Sequence, residues 1–205
     1  MFQDWFVQAA STVSDIVVAL SAIAVAVIGL PGLQQWKREL RGKSKFELAR
    51  RIALYAFEFR DRFHSARNPY TFPGESADRA RAHDETREVA EVLDEWHARG
   101  KRMEALRNTA RLLHEASWEG SVLLEPDVKD LIEPLESSLR DLLVSFQTDF
   151  QMQYINASRP HNPAQDADWL EEHHRRVSGM PEDPFAKDVD TAVENLVQRV
   201  RQYIQ

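Results

Sequence analysis

Residues 16–33, IVVALSAIAVAVIGLPGL, run for 18 positions without a charged side chain, in a 205-residue chain of which 29% of residues are charged. As helix, at about 1.5 Å per residue, they reach about 27 Å, close to the ~30 Å hydrocarbon core of a bilayer. The stretch reads as a single transmembrane helix. Two other readings compete. The small residues at 22–26, AIAVA, suit a signal-peptide cleavage site, but a signal peptide needs a positive n-region and this one holds Asp4 and Asp15. A buried core helix is the other, and a helix apolar on every side needs cover on every side, which a chain this small is poorly able to give.

The charge on either side orients the stretch. Residues 1–36 carry a net −2, residues 37–67 a net +6 and the remainder −11, for a total of −7. The basic collar consists of Lys37, Arg38, Arg41, Lys43, Lys45, Arg50 and Arg51, and the leading tail has no Lys or Arg. Lys and Arg beside a span stay cytoplasmic, which predicts the N-terminus outside and residues 37–205 inside. Trp5 and Phe6 at one end and Trp36 at the other suit the aromatic belts. Trp36, Lys37, Arg38, Arg41, Lys43 and Lys45 are the expected membrane-surface contacts, each cation attracting anionic headgroups by about 1 kcal/mol. Ala19, Ala22, Ala26 and Gly29 share one helix face, where small residues allow close helix approach. Self-association through the span or the bundle is therefore open, although Ala is common in such segments. Pro31-Gly32 is expected to kink or end the span.

The rest of the chain reads as helix. Hydrophobic residues make up 43% of the sequence, too many for wholesale disorder, and there is no cysteine, which excludes disulfides and thiolate metal sites. An acidic body disfavours nucleic acid. Ser44-Lys45-Phe46-Glu47 has the form of a capping box, starting a helix to about residue 66 with Leu48, Ile52, Tyr55, Phe59 and Phe63 as its apolar stripe. A turn with two prolines follows at 67–74. A long helix is expected over 76–119, ending at Gly120. Its seam (Val89, Val92, Trp96, Met103, Leu106, Ala110, Leu113) is interrupted at Arg99 and Gly100. A third helix, from Pro126 to about 156, should kink at Pro134. A shorter piece at about 164–177 precedes a last helix with Asp183 as N-cap and Pro184 at its first position. The expected fold is all-α: a membrane anchor over 1–36, then an antiparallel bundle of about four helices over 37–205, with 37–51 as the juxtamembrane region.

Catalytic patterns are scarce. There is no Walker run, G-x-G-x-x-G, G-x-S-x-G or H-E-x-x-H. Asp94-x-x-His97 and Glu171-x-x-His174 have the spacing of helical carboxylate–imidazole ligands, but a di-iron site needs glutamates on two further helices and the seams are apolar. His83-Asp84 repeats a dipeptide of metal phosphohydrolases without its supporting residues, and His114-Glu115 lacks the residues that follow a phospho-acceptor His. Asn156-Ala157-Ser158 matches a glycosylation acceptor, which a cytosolic body would leave unmodified. No catalytic, cofactor or metal residue is assigned, and no cofactor is expected. Tyr70 and Phe72 in the turn mark either a partner loop or aromatics folded back over Phe59 and Phe63, and the second is preferred.

The run WKRELRGKSKFELARR at 36–51, with RDRFHSARNP at 60–69, resembles a group of bacterial proteins with one N-terminal span and a helical cytosolic body. The resemblance covers roughly residues 20–75. It implies a bacterial inner-membrane setting and carries over no functional residue. The expected function is a non-enzymatic, membrane-anchored scaffold or adaptor that binds a protein partner at the cytosolic membrane face. The alternatives are a metal-dependent hydrolase using His83, His97 and His174, and an accessory subunit of a larger membrane complex.

Overall fold

A computed structural model describes residues 2–72, 74–158, 167–179 and 183–204. Of residues 2–34 only Val18 and Ser21 are described beyond the backbone; in the helix at 167–177 the side chains described are those of 171 and 173–177. The elements are α1 (Phe2–Arg67), α2 (Arg87–Leu123), a 3-10 helix (Pro126–Ile132), α3 (Glu133–Ser158), α4 (Ala167–Val177) and α5 (Pro184–Arg201). The described residues contain no strand. The chain is an all-α protein of two compact units, Met1–Lys45 and Phe46–Gln205, the second a helical bundle.

The bundle core follows the expected stripes. Leu48, Ile52, Phe59 and Phe63 of α1 are buried with Met103, Leu106 and Leu113 of α2, Leu135 and Leu142 of α3, and Val189, Val193, Leu196 and Val200 of α5. Each such side chain contributes about 1.5–3 kcal/mol when fully withdrawn from water. Asp183 caps α5 as its sequence foretells: its backbone is extended and its carboxylate accepts the amide of Ala186 at 2.8 Å.

Several boundaries differ from expectation, each for a local reason. No helix starts at Ser44: α1 covers that position, and the Ser44 hydroxyl donates to the Leu40 carbonyl at 2.9 Å, the back-bonding a serine uses inside a helix. Nor does α1 end at Pro31-Gly32. The second helix begins at Arg87, not at 76. Thr86 is its N-cap, accepting the Val89 amide at 3.3 Å, while 74–78 form turns begun by Gly74 at φ 97°. Residues 76–86 offer no apolar stripe to hold a helix against the core, and Arg and Glu side chains take up their backbone groups instead.

α2 also runs through Gly100 without a break and past Gly120. Gly120 serves packing: a Cβ there would lie 2.9 Å from Ile52 and 3.0 Å from Val128, so its absence lets α1 and the 3-10 helix close on α2. Residues 126–132 are 3-10, and Pro134 lies in the first turn of α3 rather than kinking a longer helix. A proline loses no hydrogen bond in a first turn, so that is where the chain places it.

The far end of the bundle is joined by a buried arginine. Arg67, 1% exposed at the C-terminus of α1, donates from Nε to the Arg176 carbonyl (2.6 Å), from Nη2 to the Arg175 carbonyl (3.2 Å) and from both Nη atoms to Asp183. Its Cζ sits 5.5 Å from the Phe63 ring and 5.0 Å from the Phe185 ring. One side chain thereby satisfies carbonyls in the last turn of α4 and pairs with the N-cap of α5. Burial works to raise the Asp183 pKa and is outweighed by the Arg67 guanidinium and the Ala186 amide, which hold the carboxyl below its ordinary value. Gly179 leaves room for the pair, since a Cβ there would collide with Arg67 Nη2 and Asp183 Oδ2.

Candidate functional site

The expected surface residues fall at exposed positions. Trp36 is 63% exposed, Lys37, Arg38, Arg41 and Lys43 are exposed, and Lys45 is half-buried. Among the described residues no helix is long and apolar enough to cross a membrane. The stretch at 16–33 lies, apart from Val18 and Ser21, outside the described side chains, as do Trp5, Phe6 and the Ala/Gly face.

The aromatic turn does not pack on the core. Tyr70 is 70% and Phe72 63% exposed, and Phe63 instead stacks on Phe59 and meets Phe185 edge-on with centroids 5.3 Å apart. The preferred sequence reading is thus corrected: Tyr70 and Phe72 stay exposed rather than folded over Phe59 and Phe63, because α2 holds the backbone at residues 68 and 70. Arg102 donates to the carbonyls of Asn68 (3.2 Å) and Tyr70 (2.9 Å), pairs with Glu75, and lies 5.9 Å from the Phe72 ring. Lys101 and His97 converge on Asp78, the latter at 3.0 Å.

Further along, Arg79 forms a two-pronged pair with Glu85 (3.0 and 2.7 Å) and reaches Asp94 at 2.5 Å. The carboxyls respond. Lys101 and then His97 bring Asp78 down to about 2, and Arg79 with the Ala82 amide brings Glu85 down to about 2. Arg102 and the Phe72 amide lower Glu75 in the same way. Tyr70 and Phe72 therefore stand in water on a loop fixed to α2 by charge-assisted bonds.

The histidine candidates are not brought together. His83 is exposed, His97 is taken by Asp78, and His174 meets Asp149 at 3.3 Å. Asp94 serves Arg79 and Arg81 rather than His97, Glu171 is exposed, and His114 pairs with Glu136 at 2.6 Å. Among the described residues no three His, Asp or Glu side chains gather in a way that suits a metal ion.

Two features escaped the sequence reading. Arg99, which looked like an interruption of the α2 seam, is 2% exposed. Its Nη2 reaches Glu95 (2.9 Å), Ser178 Oγ (3.3 Å) and the Pro69 carbonyl (3.4 Å), and Nη1 lies 4.0 Å from Asp149. Nε and Nη1 have no hydrogen-bond partner among the described residues. The second feature is a groove of about 1000 Å³ between α2 and α3, where Trp96 stacks on Phe146 and Phe150 at centroid distances of 3.7 and 4.5 Å. Trp96 was legible as a seam residue, but the uncovered face was not, because it depends on where α1 and α5 lie. The described residues present an exposed aromatic loop, an aromatic groove and a run of exposed cations from Lys37 to Lys43. No protein-family model, curated protein or solved structure matches the chain.

Proposed function

We propose that the chain is a membrane-tethered helical adaptor, held by residues 16–33 with its N-terminus outside and its body at the cytosolic face of a bacterial inner membrane, where it binds a protein partner. One observation carries the reading: 18 uncharged residues are followed, between 37 and 51, by seven Lys and Arg, while the preceding tail has none. The exposure of Trp36, Lys37, Arg38, Arg41 and Lys43 leaves the collar available to anionic lipid. Binding rather than chemistry is supported by the histidines, since His97 and His174 are each engaged by one carboxylate. Tyr70 and Phe72, exposed on a clamped loop, give a partner two aromatics that need little ordering.

Alkaline-carbonate extraction of bacterial membranes expressing the full chain tests the tether. Retention in the pellet is expected, with release when residues 16–33 are replaced by a polar linker. Full release of the unaltered chain by carbonate overturns it.

A further inference from the structure

The groove between α2 and α3 is lined on its apolar side by Trp96, Met103, Leu143, Phe146 and Phe150, and Gly100 lines it between Trp96 and Met103 along α2. Glycine in the interior of a 37-residue helix is a poor choice unless something requires it. At Gly120 and Gly179 the requirement is visible, because a Cβ would strike neighbours within the chain. At Gly100 an added Cβ meets nothing within 4 Å, and its φ is not positive. Neither backbone strain nor internal packing accounts for it, yet it opens the groove floor to close approach by another backbone.

The electrostatics give the occupant a sign. Residues 68–205 carry a net −11, but this groove is edged by Arg107 and Arg111 against the single acid Glu104. Among the described residues Arg111 pairs only with Glu115, on its own helix, and Arg107 has no ion pair. Both arginines are exposed.

We infer that this groove binds an amphipathic helix of a partner protein, its apolar face on the Trp96–Phe146–Phe150 stack and an acidic edge along Arg107 and Arg111. Helices enter such grooves through apolar anchors spaced i, i+3/i+4, i+7, and a glycine floor lets the incoming backbone come close. Trp and Arg are the side chains that most often dominate such contacts. The inference deepens the adaptor reading and rests on it for the partner's place at the membrane. Binding itself is read in detergent, so loss of the tether and loss of the groove register separately.

The experiment uses the full chain in mild detergent and a displayed library of helical peptides with fixed apolar anchors and randomised edge positions. Selection should enrich Asp and Glu at the edge. Selected peptides should lose about tenfold or more in affinity to Gly100→Trp and to the double variant Arg107→Glu, Arg111→Glu. Affinity for the double variant should return when the peptide acids become Lys. All these substitutions face open space or solvent, so each variant should fold with the helicity of the unaltered chain and melt in one cooperative transition. Absence of enrichment over a parallel selection on Gly100→Trp overturns the inference. So do selected peptides indifferent to the variants, or a dimer of the chain alone that Gly100→Trp dissolves.

Discussion

The two units of this protein encode their properties in different ways. In Met1–Lys45 the legible information is composition: an uncharged run at 16–33 followed by five Lys and Arg between 37 and 45. In Phe46–Gln205 it is geometry: a Cβ too many at Gly120 or Gly179 is a collision, and one guanidinium joins three helices. A region that acts through a solvent tolerates substitution as long as the average is kept. A region that acts through packing depends on particular atoms.

Removing most of the first unit is the largest perturbation. Deleting residues 1–36 should move the chain from the membrane to the soluble fraction and leave a body that melts in one cooperative transition, followed by circular dichroism; an aggregated or β-rich product would break the comparison. Within the body, Arg67→Met leaves Asp183 and two helix carbonyls without their donor. It should destabilise by about 3–5 kcal/mol in a urea titration. Arg99→Met should cost less, about 1–2 kcal/mol, because two of the Arg99 guanidinium nitrogens already lack a hydrogen-bond partner among the described residues and their burial is relieved. If the two arginines proved equal, the difference in their partnering would mean nothing.

Gly100→Ala works in the opposite direction. With open space around it and helical backbone, it should stabilise the body by about 0.5–1 kcal/mol. The smallest effect is local. The folded pKa values of Asp78 and Glu85, about 2, lie below the ordinary 3.8 and 4.5, so their contribution is complete above about pH 4.5 and is lost as pH falls toward 2. Protection of the Ala82 amide, which donates to Glu85, should fall over that window before that of the core amides, and the Phe72 amide should lose protection as its acceptor Glu75 is protonated. Unchanged exchange down to pH 2 would show that the loop is not held by those pairs.

Much of this fold was legible because the apolar stripes and caps are local. The α1 stripe from Leu48 to Phe63, the Asp183 cap and the end of the first helix near residue 66 follow from spacing and capping chemistry alone. The 76–86 loop was not, since polar residues of fair helix propensity leave helix and loop nearly balanced and the Arg79 and Arg102 pairs that decide between them are tertiary. Pro134 was misplaced because a proline breaks a helix interior yet starts a helix well, and only the 3-10 segment before it tells which. Arg99 and the groove stayed hidden for the same reason: a charge and a glycine in a seam read as noise until the faces they occupy are known.

The central claim, a tether with the collar inside, can be tested directly because the chain has no cysteine and therefore no labelling background. Gln3→Cys, and separately Val122→Cys at a position 81% exposed in the body, are treated with a membrane-impermeant maleimide in intact spheroplasts and again after permeabilisation. The predicted result is labelling of residue 3 in intact spheroplasts and of residue 122 only after permeabilisation. Labelling of residue 122 in intact spheroplasts, or of neither residue until permeabilisation, would contradict it.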